Sequence, residues 1–278
     1  PTGWPKPNVY WVLQNAENGA LQSINNSRIT VDPEGSLWFS NITRDDASMD
    51  FSYSCAANSV FQNEYKIGNR ILLDVKQTGI SSTSNKHPPT QQYVTRKNLV
   101  GNRGKRVEIF CIYGGTPLPE TVWKKDGQPI PWSDRITQGH YGKSLLIRHA
   151  GFEDEGSYTC DVSNGVGNAQ SYSVNLKIES TPYFTVEPEI ENKAEDETAE
   201  FHCAASGIPK PSITWIFNGK PIKDAPSNER RSVYDDRITI RDLVKTDTGN
   251  YGCNATNVHG YVYKDVYLNV LALPPEIL

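Results

Sequence analysis

The stretch CIYGGTPLPETVWKKDGQPI (111–130) recurs without a gap as CAASGIPKPSITWIFNGKPI (203–222). In each copy a cysteine precedes a tryptophan by twelve positions. A second matching pair follows, SLLIRHAGFEDEGSYTC (144–160) and RITIRDLVKTDTGNYGC (237–253). Both of these end in Asp-x-Gly-x-Tyr-x-Cys, so the chain contains two copies of one unit, about ninety residues apart.

The rest of each copy has the pattern of short strands separated by turns. RVEIFCIY (106–113) and AEFHCAA (199–205) alternate apolar and polar residues, as half-buried strands do. Turn signals such as DGQP and NGVG follow, and no stretch shows sustained helical periodicity. Short strands with a Cys…Trp…Tyr-x-Cys spacing are typical of the immunoglobulin-like sandwich. We therefore predict an all-β chain of tandem immunoglobulin-like sandwiches of the intermediate set.

A third, partial copy begins the chain. GWPKPNVYW (3–11) aligns with GTPLPETVW, and SLWFSNITRDDASMDFSYSC (36–55) parallels the stretch that ends at Cys160. Asp46 precedes Tyr53 by seven positions where the complete copies use four, so the role of Asp46 stays open. Counting back twelve from Trp11 places the first cysteine two residues before Pro1. We expect the first sandwich to be truncated and Cys55 to be unpaired, because its partner was cut away.

The frame assigns structural roles to particular residues. Paired cysteines join the two sheets, a tryptophan packs on the bridge, and a tyrosine two places before the second cysteine bonds to the backbone at a strand corner. We predict two disulfides, one between Cys111 and Cys160 and one between Cys203 and Cys253. The predicted core tryptophans and corner tyrosines are Trp11, Trp123, Trp215, Tyr53, Tyr158 and Tyr251. We also expect a structural ion pair between Arg135 and Asp154; the alternative is two independent exposed charges.

These assignments divide the chain into domains. Residues 1–79 form a partial sandwich, 80–91 a linker, 92–179 and 182–272 complete sandwiches, and 273–278 the start of a further domain. The polar, proline-bearing stretch 78–91 could equally hold a loose first strand.

Composition and motifs exclude several classes of function. The net charge is −4 over 278 residues, which argues against a nucleic-acid partner. No apolar run of about 18 residues occurs, so nothing in this sequence is expected to span a membrane. The five histidines show no metal-ligand spacing, and there is no G-x-S-x-G or phosphate-loop motif. We expect no enzyme activity, no catalytic or metal-binding residues and no cofactor.

Three N-x-S/T sequons are candidate glycosylation sites: Asn25, Asn41 and Asn254. Together with paired cysteines they favour the secretory route, where disulfides persist. A basic cluster at Arg103, Lys105 and Arg106 suggests either a heparan-type patch or an ordinary solvated surface.

Some strings, such as ITQGHYGKSL (136–145), are not required by the fold, and they occur beside others such as SVFQNEYKIGN (59–69) and GSYTCDVSNGVGNAQSYS (156–173). With them, essentially the whole chain resembles arthropod members of the neurofascin-like neural cell-adhesion family of the immunoglobulin superfamily. The resemblance implies a fragment of the ectodomain of a transmembrane receptor, on the extracellular side of the cell membrane. The fragment would run from the latter part of the second immunoglobulin-like domain to the opening of the fifth, with a bend between the second and third.

The resemblance also implies homophilic and heterophilic cell–cell adhesion in axon growth and guidance and in epithelial junctions. The partners would be the same protein on an opposing cell and other cell-surface immunoglobulin-superfamily proteins, with the membrane reached only through a segment outside this fragment. One rival is a soluble hemolin-like immune immunoglobulin protein that binds microbial surfaces. Another is an intracellular muscle spacer of intermediate-set domains, for which free thiols at Cys111 and Cys160 are expected.

Overall fold

The computed structural model describes residues 6–59, 61, 64–76 and 85–272. The chain divides into two compact units, residues 1–177 and 178–278. Regular structure in the described part is β-strand apart from five short 3-10 helices: Arg44–Asp46, His140–Gly142, Phe152–Asp154, Ile222–Asp224 and Lys245–Asp247. The further domain predicted at 273–278 lies outside the described residues.

The N-terminal unit begins with a partial two-layered sandwich. Its strands are β1 Asn8–Asn15, β2 Leu21–Ser23, β3 Ile29–Val31, β4 Leu37–Phe39, β5 Phe51–Asn58 and β6 Tyr65–Ile67. One layer has the order β2-β1-β5-β6, and the other pairs β3 with β4. Among the described residues, this second layer has two strands where the next sandwich has four, so it covers less of the core.

A complete sandwich follows in the same unit. Its strands are β7 His87–Val94, β8 Asn98–Asn102, β9 Val107–Thr116, β10 Glu120–Lys125, β11 Gln128–Pro129, β12 Ile136–Gly139, β13 Ser144–Ile147, β14 Gly156–Ser163 and the first part of β15 Gln170–Val186. One layer has the order β11-β10-β14-β15 with β8 also paired to β15, and the other has the order β12-β13-β9-β7.

The C-terminal unit is a second complete sandwich. Its strands are β16 Glu191–Ala194, β17 Ala199–His202, β18 Ala204–Ile208, β19 Ser212–Phe217, β20 Lys220–Pro221, β21 Arg231–Val233, β22 Arg237–Ile240, β23 Gly249–Asn257 and β24 Gly260–Leu271. The larger layer has the order β16-β24-β23-β19-β20 and the smaller β17-β22-β21. β18 pairs with the Ser180–Val186 part of β15.

Residues 87–91 of the predicted linker 80–91 lie in a strand, and residues 80–84 lie outside the described part of the chain. β7 begins at His87 and pairs with β9 from His87–Thr116 to Val94–Cys111. Pro88 and Pro89 are tolerated because β7 is an edge strand, where a missing N–H leaves no ladder bond unmade. β15 likewise runs without interruption through 179–182, where the sequence suggested a boundary between sandwiches.

One asparagine in each complete sandwich ties a turn to an edge strand. The Nδ2 of Asn164 donates to the carbonyl oxygens of His87 and Pro117 at 2.7 and 2.9 Å. Asn257 Nδ2 does the same for Ser180 and Pro209 at 2.8 and 2.9 Å. The side-chain amide thereby satisfies the carbonyl of a proline outside the strands, Pro117 or Pro209, and joins it to a paired strand residue.

Alternating apolar residues fill the core of the C-terminal unit. Ile238 and Ile240 in β22 and Leu268 in β24 have no solvent exposure, and Phe201 in β17 has 1%. These side chains pack around the disulfide cysteines and Trp215. Removing a buried aliphatic side chain leaves a cavity as well as losing transfer free energy.

We predict that Ile238→Ala lowers the free energy of unfolding of the C-terminal unit by about 2–5 kcal/mol, because it opens such a cavity. Val233, the cross-strand neighbour of Ile238, is 45% exposed and supplies the control. Val233→Ala should cost about 0.5 kcal/mol or less. Unfolding in guanidinium, monitored by hydrogen exchange in this unit, measures the change in unfolding free energy for each variant. Equal changes for the two variants would show that β22 does not pack as described.

Candidate functional site

Two disulfides join the layers of the complete sandwiches. The structure bonds Cys111 to Cys160 and Cys203 to Cys253, with Cα atoms 6.6 and 6.5 Å apart. Each bridge closes a loop of 49 or 50 residues, which contributes about 4 kcal/mol by the chain-entropy estimate.

Cys55 is a free, half-buried thiol in the structure. It occupies the same register as its counterparts, since Trp11 pairs with Cys55 as Trp123 pairs with Cys160 and Trp215 with Cys253. Gly68 packs directly on its sulfur, because a Cβ at that glycine would lie 2.7 Å from Sγ.

The three tryptophans make corresponding hydrogen bonds. Trp123 and Trp215 are each 3% exposed, and their indole nitrogens donate to the carbonyls of Gly142 and Tyr234 at 2.8 and 2.9 Å. Trp11 is half-buried and donates to the Gly35 carbonyl at 2.8 Å. The partial sandwich at the start of the chain therefore keeps this hydrogen bond, although its tryptophan ring is more exposed to solvent.

Each corner tyrosine bonds to the backbone of a preceding aspartate. Tyr158 and Tyr251 donate to the carbonyls of Asp154 and Asp247 at 2.7 and 2.8 Å. Tyr53 donates to the Asp46 carbonyl at 2.9 Å. Asp46 thus has the role that the sequence left open, because the extra residues lie between the 3-10 helix and β5 and leave the strand register unchanged.

The carboxylates of the same three aspartates accept forked hydrogen bonds from arginines. Arg135 reaches Asp154 at 2.5 and 2.9 Å, and Arg230 reaches Asp247 at 2.6 and 3.0 Å. Arg28 makes the same two contacts with Asp46. Each carboxylate also accepts a backbone N–H three residues earlier, from Thr43, Gly151 or Val244.

These contacts change the ionisation of the corner groups. Burial pushes the pKa of Asp154 upward, but the hydrogen bonds from Arg135 and Gly151 outweigh it, and the pKa is lower than usual. The pKa of Asp247 is lowered in the same way. Burial, followed by the charge of Asp46, raises the pKa of Tyr53 to about 12. Asp154 and Asp247 are therefore ionised and the Tyr53 phenol is neutral at neutral pH, which suits a structural role at the corner.

Sequence reasoning named one of these ion pairs and missed the other two. Arg28 precedes Asp46 by 18 residues, Arg135 precedes Asp154 by 19, and Arg230 precedes Asp247 by 17. An arginine 17–19 residues before the corner aspartate is the sequence pattern that could have identified all three ion pairs.

The predicted glycosylation sites differ in their surroundings. Asn25 is exposed. Asn41 is half-buried, and its carbonyl accepts a hydrogen bond from Arg28 at 2.9 Å. Asn254 is half-buried in β23, and its Oδ1 is buried without a hydrogen-bond partner among the described residues. Glycosylation at these three asparagines stays a prediction.

A turn at 138–143 joins the two sandwiches of the N-terminal unit. Lys143 is 4% exposed, and its ammonium donates to the carbonyl of Ser27. Burial lowers the pKa of Lys143 to about 8. Beside it, the Tyr141 hydroxyl donates to Oδ1 of Asn25 at 2.5 Å. Elsewhere in the unit, Gln92 donates to the Phe39 carbonyl at 2.8 Å, so the two sandwiches are packed together.

The outer face of the larger layer in the C-terminal unit carries a row of tyrosines. Tyr261, Tyr263 and Tyr267 alternate along β24 with exposures of 70%, 43% and 46%. Tyr263 lies across Gly252 of β23, where a Cβ would come within 2.4 Å of its hydroxyl oxygen. Ser212 and Thr214 on β19 extend the same face, and both are exposed. We call this surface, built on β19, β23 and β24, the tyrosine face.

Tyrosine suits a binding surface because it combines a large rigid ring with a polar hydroxyl, and it is enriched at protein interfaces. The outer side of an antiparallel sheet is ordinarily polar. A row of three exposed rings is therefore a candidate contact surface. The alternation is visible in YVYKDVY (261–267), although no contact surface was predicted there from the sequence.

Within the described ranges, no cluster of three or more His, Cys, Asp or Glu residues could hold a metal ion. A search of the same residues finds no helix long and apolar enough to cross a bilayer.

Comparisons with known proteins define the class. Residues 97–173 and 181–257 match family models described as immunoglobulin domain. The crystal structure of the insect immune protein hemolin superposes with a TM-score of 0.81 at 32% identity, over 98% of this chain and 69% of that one. The predicted fold of tandem immunoglobulin-like sandwiches is thereby confirmed.

The sequence relatives narrow the class. Neuroglian of Drosophila melanogaster is 65% identical over 100% of this chain, and Neurofascin of Gallus gallus is 30% identical over 100%. The chain spans 21% of the length of each of these two relatives. The chain belongs to the L1 and neurofascin family of immunoglobulin-superfamily cell-adhesion proteins. This membership confirms the resemblance drawn from the sequence and the expectation that the chain is not an enzyme.

We predict that Asp247→Asn lowers the free energy of unfolding of the C-terminal unit by about 1.5–3 kcal/mol at pH 7, because it removes a charge-assisted bond to Arg230. The lowered pKa of Asp247 means that this stabilisation is present above the ordinary aspartate pKa of 3.8 and is lost as pH falls through the folded-state value.

Denaturant unfolding of this unit between pH 2 and pH 7 measures both effects. The variant should show a weaker dependence of stability on pH in the acid range. Asp224→Asn, at an exposed carboxyl of the same unit, is the matched control and should change little. An Asp247→Asn protein with the parent's acid dependence would contradict the assignment.

Proposed function

We propose that this chain is part of the extracellular region of a cell-adhesion receptor that is anchored in the cell membrane by a segment outside these residues. It acts in homophilic and heterophilic cell–cell adhesion, in axon growth and guidance and in epithelial junctions. The observation that carries this proposal is the 65% identity with Neuroglian along the whole chain. The identity with the immune protein hemolin is about half as great, at 32%.

The mechanism is recognition between sheet faces. Exposed tyrosines bury apolar ring area on contact while their hydroxyls keep hydrogen bonds, which suits a surface that must be soluble when free. Single contacts of this kind are weak, and many receptors on two opposed membranes act together through multivalency. The tyrosine face is the contact surface that we assign to this part of the receptor.

Beads coated with the chain test the adhesive function. Beads of two colours should form mixed clusters if contact is homophilic, and receptor-bearing cells should bind them if contact is heterophilic. Beads that disperse like uncoated ones and bind no cells would contradict adhesion by this part of the receptor. Beads that bind cells without clustering would restrict the mechanism to heterophilic contact.

We predict that Tyr263→Ala weakens this binding by about tenfold or more, as truncation of an aromatic anchor does. Tyr234→Ala is the matched control, because Tyr234 is 50% exposed in the same unit but lies beyond β21, in the other layer. Gly252→Ala offers an independent route, since its Cβ would displace the Tyr263 ring and leave the residue in place. Surface plasmon resonance of folded variants measures the change; equal affinities for all three would place the contact elsewhere.

The match to the hemolin structure favours a second candidate, a soluble immune protein that binds microbial surfaces. That function predicts direct binding of the chain to bacteria, measured by sedimentation with whole cells. Binding to bacteria without binding to animal cells would support the immune function over adhesion.

A further inference from the structure

The turn at 138–143 has an uncommon backbone conformation at two residues that are not glycine. His140 and Tyr141 have φ angles of 50° and 55°, and Gly142 follows with 89°. The left-handed region is uncommon for residues with bulky side chains, and it persists where the surroundings hold the chain in place. Tyr141 is nevertheless 64% exposed, so core packing is not what holds it.

Two hydrogen bonds attach this turn to the polar segment before β3. The Tyr141 hydroxyl donates to Oδ1 of Asn25, and the Lys143 ammonium donates to the Ser27 carbonyl. Between them lies a cleft of about 270 Å³. It is lined by Ile24, Asn25, Asn26, Ile29, His140 and Tyr141. Side-chain amides, an imidazole and an exposed aromatic ring thus surround a small open volume.

Asn25, Asn26 and Ser27 also form a sequon for N-glycosylation. Asn25 is exposed at the edge of the cleft, and in the described part of the chain its side chain hydrogen-bonds through Oδ1. That bond orients the amide and leaves Nδ2, the atom that carries a glycan, available. The acceptor nitrogen therefore lies beside a cleft with polar groups and a ring.

We propose that the cleft holds the first N-acetylglucosamine of an N-glycan on Asn25, and that this sugar stabilises the contact between residues 24–29 and 138–143. The exposed ring of Tyr141 provides apolar surface for the C–H face of the pyranose. Asn26 and His140 provide hydrogen-bonding groups for the sugar hydroxyls and its acetamide. A sugar in this place also accounts for an exposed tyrosine held in a strained conformation.

Attachment of the glycan is a substitution at the sugar. Asn25 Nδ2 attacks C1 of the N-acetylglucosamine of a polyprenyl-pyrophosphate-linked oligosaccharide, the donor of the secretory pathway. The N–C1 bond forms as the C1–O bond breaks, the amide nitrogen loses one proton, and the lipid pyrophosphate leaves with the bonding electrons. The attachment precedes folding, so the folded turn closes over a sugar that is already present.

The experiment compares two substitutions at one position. Ser27→Ala removes the sequon and keeps both the Asn25 side chain and the backbone carbonyl that accepts from Lys143. Ser27→Thr keeps the sequon and is the matched control. The chain is secreted from eukaryotic cells, glycopeptide mass spectrometry gives the occupancy of Asn25, and hydrogen exchange is measured at 138–147.

We expect Asn25 to be occupied and exchange at 138–147 to be about fivefold or more faster in Ser27→Ala than in Ser27→Thr, because local opening becomes easier. Thr256→Ala, which removes the sequon of Asn254, should leave exchange there unchanged. An unoccupied Asn25, or equal exchange in the two Ser27 variants, overturns the proposal.

Enzymatic trimming keeps the test independent of the folding of any variant. Endoglycosidase H leaves a single N-acetylglucosamine on high-mannose protein and should preserve slow exchange. Peptide N-glycosidase removes the whole glycan, converts Asn25 to aspartate and should raise the exchange rate; the variant Ser27→Ala, which keeps Asn25 without a sugar, should exchange equally fast and so controls for the new charge. Tyr141→Ala should then speed exchange more in the glycosylated protein than in the sugar-free one. Identical exchange with one sugar and with none would overturn the proposal.

Discussion

A buried carboxylate at a strand corner is the interaction that all three sandwiches share. Asp46, Asp154 and Asp247 are 2–4% exposed, and each is satisfied by an arginine fork and a backbone N–H. A buried charge without such partners is costly, so the corner forms as a whole or not at all. The backbone carbonyl of each aspartate also accepts a hydrogen bond from the corner tyrosine, which lies in β5, β14 or β23.

The first sandwich has the same corner contacts as the two complete sandwiches. Cys55 is free, yet it stands opposite Trp11 in the register seen at both disulfides. The Tyr53 hydroxyl and the Arg28 fork hold the strand at its usual position. The corner contacts and the strand register of the first sandwich therefore match those of the two sandwiches that contain disulfides.

The Cys–Trp–Tyr frame was predictable because its spacing is local and repeated. The ion pair was predicted in one sandwich, and the variable interval of 17–19 residues concealed Arg28 and Arg230. The start of β7 stayed open between a linker and a first strand, because two prolines indicate a break although an edge strand tolerates them. Tyr141 and Lys143 contact residues 116 positions earlier, and no periodicity in a single sequence reports such contacts.

Side chains along strand β24 alternate between the core and the outer face of the sheet. Val266, Leu268 and Val270 point inward and are nearly inaccessible, whereas the tyrosines at the odd-numbered positions 261, 263 and 267 lie outside the core. A substitution on the outer set changes surface chemistry at little expense in folding, and one on the inner set does the reverse. After gene duplication, a lineage could therefore alter what this surface recognises through single replacements, without passing through unstable intermediates.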